Sequence, residues 1–149
     1  MSATSQPNRK LARILFVVLL CAIVVSIALA AMHRKRKWEL PESAKALKNP
    51  LQPSPEAILA AKQLYQDNCT NCHGERGKGD GSEAMMYDPA PADLTDIKRM
   101  SALSDGEIFY QITEGRKPMP SFKKRLTEEQ RWQLVLLMRS FSIPGEKNR

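Results

Sequence analysis

Cys69-Thr-Asn-Cys72-His73 is the run of this chain with the most specific chemistry. Two thiols with two residues between them and a histidine directly after form the C-x-x-C-H attachment signature of c-type haem. Each thiol can form a thioether to one edge of the porphyrin, and the imidazole is then placed to bind the iron. One covalent haem c is implied, held by Cys69 and Cys72, with His73 as an axial ligand. Other uses of a C-x-x-C pair fit poorly. A thioredoxin-type dithiol needs a βαβ context, and the segments around Cys69 read as helices and Pro-rich loops. A structural zinc site needs four ligands. The only further cysteine is Cys21, inside an apolar run, and the only further histidine is His33, in a basic cluster. With three cysteines, a disulfide framework leaves one over.

A haem iron bound by one histidine has a second axial position. The candidates are Met85, Met86, Met100, Met119, Met138 and His33. Met138 falls in a helical pattern and reads as core, Met100 reads as core of a short turn, and His33 lies beside an apolar span. Met119 is the strongest choice. It stands between Pro118 and Pro120, which stiffen the backbone, and it follows His73 by enough chain to wrap around the far face of the haem. A thioether opposite histidine raises the reduction potential and closes the iron to exogenous ligands. The rival reading leaves the sixth position open, as in a gas sensor or a peroxidase-like protein. It requires that Met119 not bind, and the sequence offers no distal His/Arg pair for peroxide chemistry.

The elements that must position these residues carry their own signals. Ser54-Pro55-Glu56 supplies a cap, a proline at the first helical position and an acid in the first turn, so a helix runs from there to Cys69. Ser104 with Glu107 and Thr127 with Gln130 are two capping boxes. The first opens a helix that Gly115 stops. The second opens one that carries Trp132, Val135, Leu136, Met138 and Phe141 inward, with Pro144 beyond its end. No stretch alternates with period two for long. Gly74 to Gly81 permits a tight, irregular path; it lacks the preceding strand and the Gly-Lys-Ser/Thr ending of a phosphate-binding loop. The fold class is all-α: a small helical domain around one covalent haem, preceded by one N-terminal transmembrane helix.

That span is Ile14 to Met32, apolar except for Ser26 and about long enough to cross a bilayer as a helix. Its rival is a cleaved signal peptide, with Arg9, Lys10 and Arg13 as the positive region and Ala28-Leu-Ala30 as the cleavage site. The length of the run and the basic residues Arg34 to Lys37 after it favour an uncleaved anchor. Residues 1–13 are then a cytoplasmic N-terminus, 14–32 the anchor, 33–53 a basic, Pro-rich tether, 54–143 the haem domain and 144–149 a tail. Lys/Arg counts alone would put the C-terminal side in the cytoplasm. Haem attachment outside the bacterial cytoplasmic membrane argues for the periplasm, and the obligatory chemistry outweighs the bias. Up to Leu40 there are seven Lys/Arg against one acid, and from Pro41 onward sixteen against fifteen. The net charge of +7 is therefore mostly a property of the anchor. It gives no case for nucleic acid, for which there is no aromatic-basic platform either.

The ordered set of motifs resembles the class I monohaem cytochromes c, in particular the bacterial membrane-anchored kind, over roughly Trp38 to Phe141. The resemblance rests on Leu64-Tyr65 before Cys69-Thr-Asn-Cys72-His73-Gly74, and on Gly77-Lys-Gly-Asp-Gly81. Pro91-Ala-Asp-Leu94, Asp105 to Thr113, Gly115 to Phe122 and Arg131-Trp132-Gln-Leu-Val complete it. It implies a few helices around the haem, with the helix before Cys69 crossing the C-terminal one at Ala61 and Leu137. It also implies a loop proline or carbonyl, around Pro89 or Pro91, that receives the hydrogen bond of the proximal imidazole. The function expected is single-electron transfer between respiratory partners. A quinol-oxidising complex or dehydrogenase would stand upstream, and a terminal oxidase or reductase downstream. An alternative is the haem subunit of a larger membrane oxidoreductase. Arg116, Lys117, Lys123, Lys124 and Arg125 crowd the loop around Met119 with no acid among them. They either steer acidic partners or form a solvated basic loop. No catalytic acid–base residue is read, and the chain is not expected to be an enzyme by itself.

Overall fold

The computed structural model describes residues 9–32 and 38–142. His33, the basic cluster Arg34 to Lys37, Pro144 and the tail lie outside the described residues. The chain divides into two compact units, Met1–Trp38 and Glu39–Arg149.

The first unit is one helix, α1, Arg9–Met32. Residues Arg9–Ala28 have a mean hydropathy of 2.8, and none of that stretch is buried within the protein. Leu15, Phe16 and Ile27 stand outward. Ser26, the polar residue of the span, donates its hydroxyl to the Ala22 carbonyl at 2.8 Å. That bond satisfies the hydroxyl inside the helix. The helix is thus long and apolar enough to cross a membrane.

The second unit is helical, and the described residues contain no β-strand. Its helices are α2 (Glu42–Ala46), α3 (Pro55–Asn68), α4 (Thr70–His73), α5 (Ile97–Ser101), α6 (Asp105–Glu114) and α7 (Glu128–Phe141), with a 3₁₀ turn at Ala84–Met86. The three long helices start where their caps predict. Ser54 Oγ accepts the Ala57 N–H, and both capping boxes close at Ser104/Glu107 and Thr127/Gln130. Each satisfies amide groups that the first turn leaves without partners. Gly115 ends α6 with φ +63°, a conformation that favours glycine.

Helices α3 and α7 pack against each other, and Ala61 and Leu137 are both fully buried in the shared core. The small Ala61 lets α3 come close to α7 in this core. Tyr65 and Phe141 meet edge to face at 5.2 Å, and Phe109 stacks on Trp132 at 4.0 Å.

The segment expected as a tether differs over residues 39–53. Helix α2 packs on α6, with Ala44 buried. Gly106 lies so close to the Ala44 carbonyl that a Cβ there would overlap it. Asn49 Nδ2 donates to the Trp132 carbonyl at 3.1 Å, and Leu51 packs on the core. The prolines of this stretch do not hold it off the domain. The stretch lies along the domain surface as a strap, anchored at Ala44, Asn49 and Leu51.

Arg139 joins three elements. Its Nε donates to Asp105 Oδ1 at 2.7 Å, and its terminal nitrogens donate to the Met100 and Leu103 carbonyls, each at 2.6 Å. One guanidinium therefore fixes the end of α5 and the start of α6 against α7. Arg139→Ala should cost about 2–4 kcal/mol in thermal or denaturant unfolding. Arg139→Lys should recover only part of that, because an ammonium lacks the planar fork.

Candidate haem site

Helix α3 delivers the motif. Its last turn passes directly into α4, because Cys69 N–H donates to the Tyr65 carbonyl at 2.8 Å while the Cys69 carbonyl accepts from His73 N–H at 2.8 Å. Cys69, Cys72 and His73 thus sit on one short turn, with neither cysteine in a disulfide. Cys69 is buried in the core cluster, and burial pushes its thiol up to about 12. Cys72 is half-buried, and burial, then the Glu83 charge, raise its thiol as well. Both shifts favour the thiol over the metal-binding thiolate.

His73 Nδ1 lies 3.1 Å from the Ala92 carbonyl. A carbonyl only accepts, so Nδ1 carries the proton and Nε2 is left with its lone pair for a metal. Burial pulls the imidazole below its ordinary value, while the bond to Ala92 opposes that. A neutral ring is the form that ligates iron. The acceptor expected around Pro89 or Pro91 is thus the carbonyl one residue past Pro91.

The loop from Gly74 to Gly81 holds that acceptor in place. Gly79 N–H donates to the His73 carbonyl at 2.8 Å, and Leu94 N–H donates to the Gly77 carbonyl at 2.6 Å. Gly79 has φ +75°, and a Cβ there would meet the Pro91 carbonyl. The loop must therefore have glycine at this point for the strand of chain bearing Ala92 to approach. Beneath it, the buried Tyr65 hydroxyl donates to the Gly74 carbonyl at 2.9 Å, and burial pushes its pKa above the ordinary tyrosine value. Sequence reasoning did not assign these roles to Tyr65, Ala92 or Gly79. The aromatic spacing before Cys69 and the Gly-x-Gly run were the visible signals.

Met119 lies in a loop stitched to the end of α6. Met119 N–H donates to the Arg116 carbonyl at 2.8 Å, and Phe122 and Lys123 donate to the Ile112 and Thr113 carbonyls. The Ser121 hydroxyl donates to Thr113 at 2.6 Å. Met119 itself is half-buried and packs on the core. The other methionines are less suited. Met100 and Met138 are 2% and 5% exposed inside the core, and Met85 is 99% exposed. Met86, 68% exposed, lines a cleft of about 550 Å³ together with Tyr87, Asp88, Lys117 and Pro118. None of Cys69, Cys72, His73 or Met119 lines that open cleft. Paired free thiols beside an imidazole with a free Nε2 suit a covalently held haem.

A helical domain with this turn and this oriented imidazole is a c-type cytochrome of the monohaem class I kind. The family described as "Cytochrome C oxidase, cbb3-type, subunit III" matches residues 56–138. The chain belongs to that family, and with it binds haem c covalently, Cys69 and Cys72 supplying the C-x-x-C-H thiols. Cytochrome c6 of Nostoc sp. is 28% identical over 75 residues, which is 50% of this chain and 61% of that protein. Cytochrome c6 of Synechococcus elongatus is 29% identical over 68 residues, 46% of this chain and 71% of that one. A chain of the Kuenenia stuttgartiensis reducing HAO-like protein complex superposes with a TM-score of 0.56 at 30% identity. That superposition covers 76% of this chain and 54% of the other. This chain thus spans about three-fifths of the Nostoc relative and about half of the Kuenenia chain.

Gly79→Ala should destabilise the domain by about 1–3 kcal/mol, from the positive φ and the displaced Pro91–Ala92 backbone together. Unfolding followed by circular dichroism measures it; an unchanged midpoint would contradict the close approach.

Proposed function

We propose that this protein is a membrane-anchored carrier of single electrons, with the iron held between His73 Nε2 and the Met119 thioether. The observation that carries this reading is the His73 Nδ1–Ala92 bond, which orients a neutral imidazole beside paired thiols. When bound, the haem supplies a one-electron ferric/ferrous couple. The remaining work falls to the chain. Ala92 holds the ring in one tautomer. The hydrogen-bonded loop Gly115 to Phe122 keeps Met119 in one place, so its thioether would stay available to the iron with little rearrangement of the chain. The core side chains of α3 and α7 exclude water from one side of the site.

Helix α1 has the length and apolarity of a membrane anchor, and the site of c-type haem attachment favours a haem domain in the periplasm. Partners are then redox proteins: a quinol-oxidising complex or dehydrogenase upstream, a terminal oxidase or reductase downstream. Lys117, Lys124 and Arg125 are exposed beside Met119, while Lys123 pairs with Glu114 at 3.1 Å. This excess of positive charge suits an acidic partner surface. A second reading, the haem subunit of a larger oxidoreductase, is favoured by the family's description and by the complex to which the Kuenenia chain belongs. Stoichiometric co-purification with a catalytic subunit would select it.

The test uses full-length protein from membranes. It should stay in the membrane pellet through an alkaline wash, and its ferrous spectrum should be low-spin and unchanged by carbon monoxide. Met119→Ala should open the sixth position and bind carbon monoxide. Rapid binding by the native protein would instead select the open-site reading, and release by the wash would remove the anchor.

A further inference from the structure

Asn71, Glu83 and Tyr87 form a polar cluster beside Cys72 that the function above does not use. The Tyr87 hydroxyl donates to Glu83 Oε2 at 3.2 Å. Asn71, one of the two residues between the cysteines, donates from Nδ2 to Glu83 Oε1 at 3.3 Å, and its carbonyl accepts from Glu83 N–H at 2.8 Å. The 3₁₀ turn Ala84–Met86 separates Glu83 from Tyr87 and brings the two side chains together. The Tyr87 side chain also lies close to Cys72, and Tyr87 lines the cleft with Met86, Asp88, Lys117 and Pro118. Both Glu83 and Tyr87 are half-buried. A carboxylate is therefore held one phenol away from an attachment sulfur, with both of its oxygens engaged by side-chain donors.

Such a charge has a definite electrochemical consequence. The ferric haem carries one more positive charge than the ferrous, so a nearby carboxylate favours the ferric form and lowers the reduction potential. Partial burial reduces the screening that an exposed acid would suffer. The Tyr87 hydroxyl and the Asn71 amide keep the carboxylate from swinging into solvent. We propose that Glu83 and Tyr87 act as one positioning unit on the Cys72 side of the haem, and that the Glu83 carboxylate lowers its reduction potential. The proposal rests on attachment of the haem at Cys72.

Redox titration of the full-length holoprotein tests it. Glu83→Gln should raise the potential, and more than Glu129→Gln, which removes an equal charge from the exposed first turn of α7. Tyr87→Phe should also raise it, by freeing the carboxylate. The double variant should shift no further than Glu83→Gln alone, because the two residues act through one charge. Glu83→Asp, which keeps the charge, should return most of the shift. Equal shifts in Glu83→Gln and Glu129→Gln, or strictly additive shifts in the double variant, overturn the proposal. Intact mass and the alkaline pyridine spectrum of the wild type count its thioethers beforehand. A single thioether, placed at Cys69 by peptide mass mapping, would overturn attachment at both cysteines and this proposal with it, whereas two thioethers with an unshifted Glu83→Gln potential overturn the proposal alone.

Discussion

The structure depends on one hydrogen bond, from His73 Nδ1 to the Ala92 carbonyl. An imidazole on a four-residue helix has no intrinsic reason to keep one rotamer or one tautomer. The carbonyl imposes both. Much of the rest of the domain can be read as the means of bringing that carbonyl to that ring. Tyr65 supports Gly74 from below, Gly79 lets the chain bearing Pro91 and Ala92 come close, and Leu94 closes the loop onto Gly77. Helix α3, packed on α7, holds the motif turn against the core.

A second constraint acts on the Met119 loop. The Met119 loop is bonded to the end of α6, and α6 is tied to α7 through Arg139 and through the buried Arg131, whose Nη1 donates to Thr113 Oγ1 at 2.6 Å. The two sulfur-bearing and nitrogen-bearing segments are therefore referred to the same helix, α7, by different routes. If His73 and Met119 both bind the iron, two ligands built on one common element would change little in separation when the surroundings relax, as a carrier with little reorganisation requires.

What was legible in the sequence follows from the range of each interaction. The caps at Ser54, Ser104 and Thr127 and the stop at Gly115 are local: each side chain meets an amide three residues away, so a short window contains both partners. The C-x-x-C-H run is local in the same sense. The strap over residues 39–53 was not legible, because α2 is too short to form by itself and is held by Gly106 and Trp132, far along the chain. Ala92 was placed only to the nearest prolines, since every residue has the same backbone carbonyl. Glu83 and Tyr87 were silent because neither pattern nor periodicity says that a turn will lay them on Cys72. Met119 was separated from its competitors by prolines in the sequence. In the structure it is separated by burial, as Met100 and Met138 are core and Met85 is solvent-exposed.

The central claim is that His73 and Met119 hold the iron between them. Proton NMR of the ferrous holoprotein with ¹³C-labelled methionine methyl groups tests it most directly, because a thioether bound to haem iron lies over the ring and its methyl is shifted strongly upfield. The account predicts one such methyl, lost in Met119→Leu and retained in Met86→Leu. An upfield methyl that survives Met119→Leu but vanishes in Met86→Leu, or none in the native protein, would contradict it.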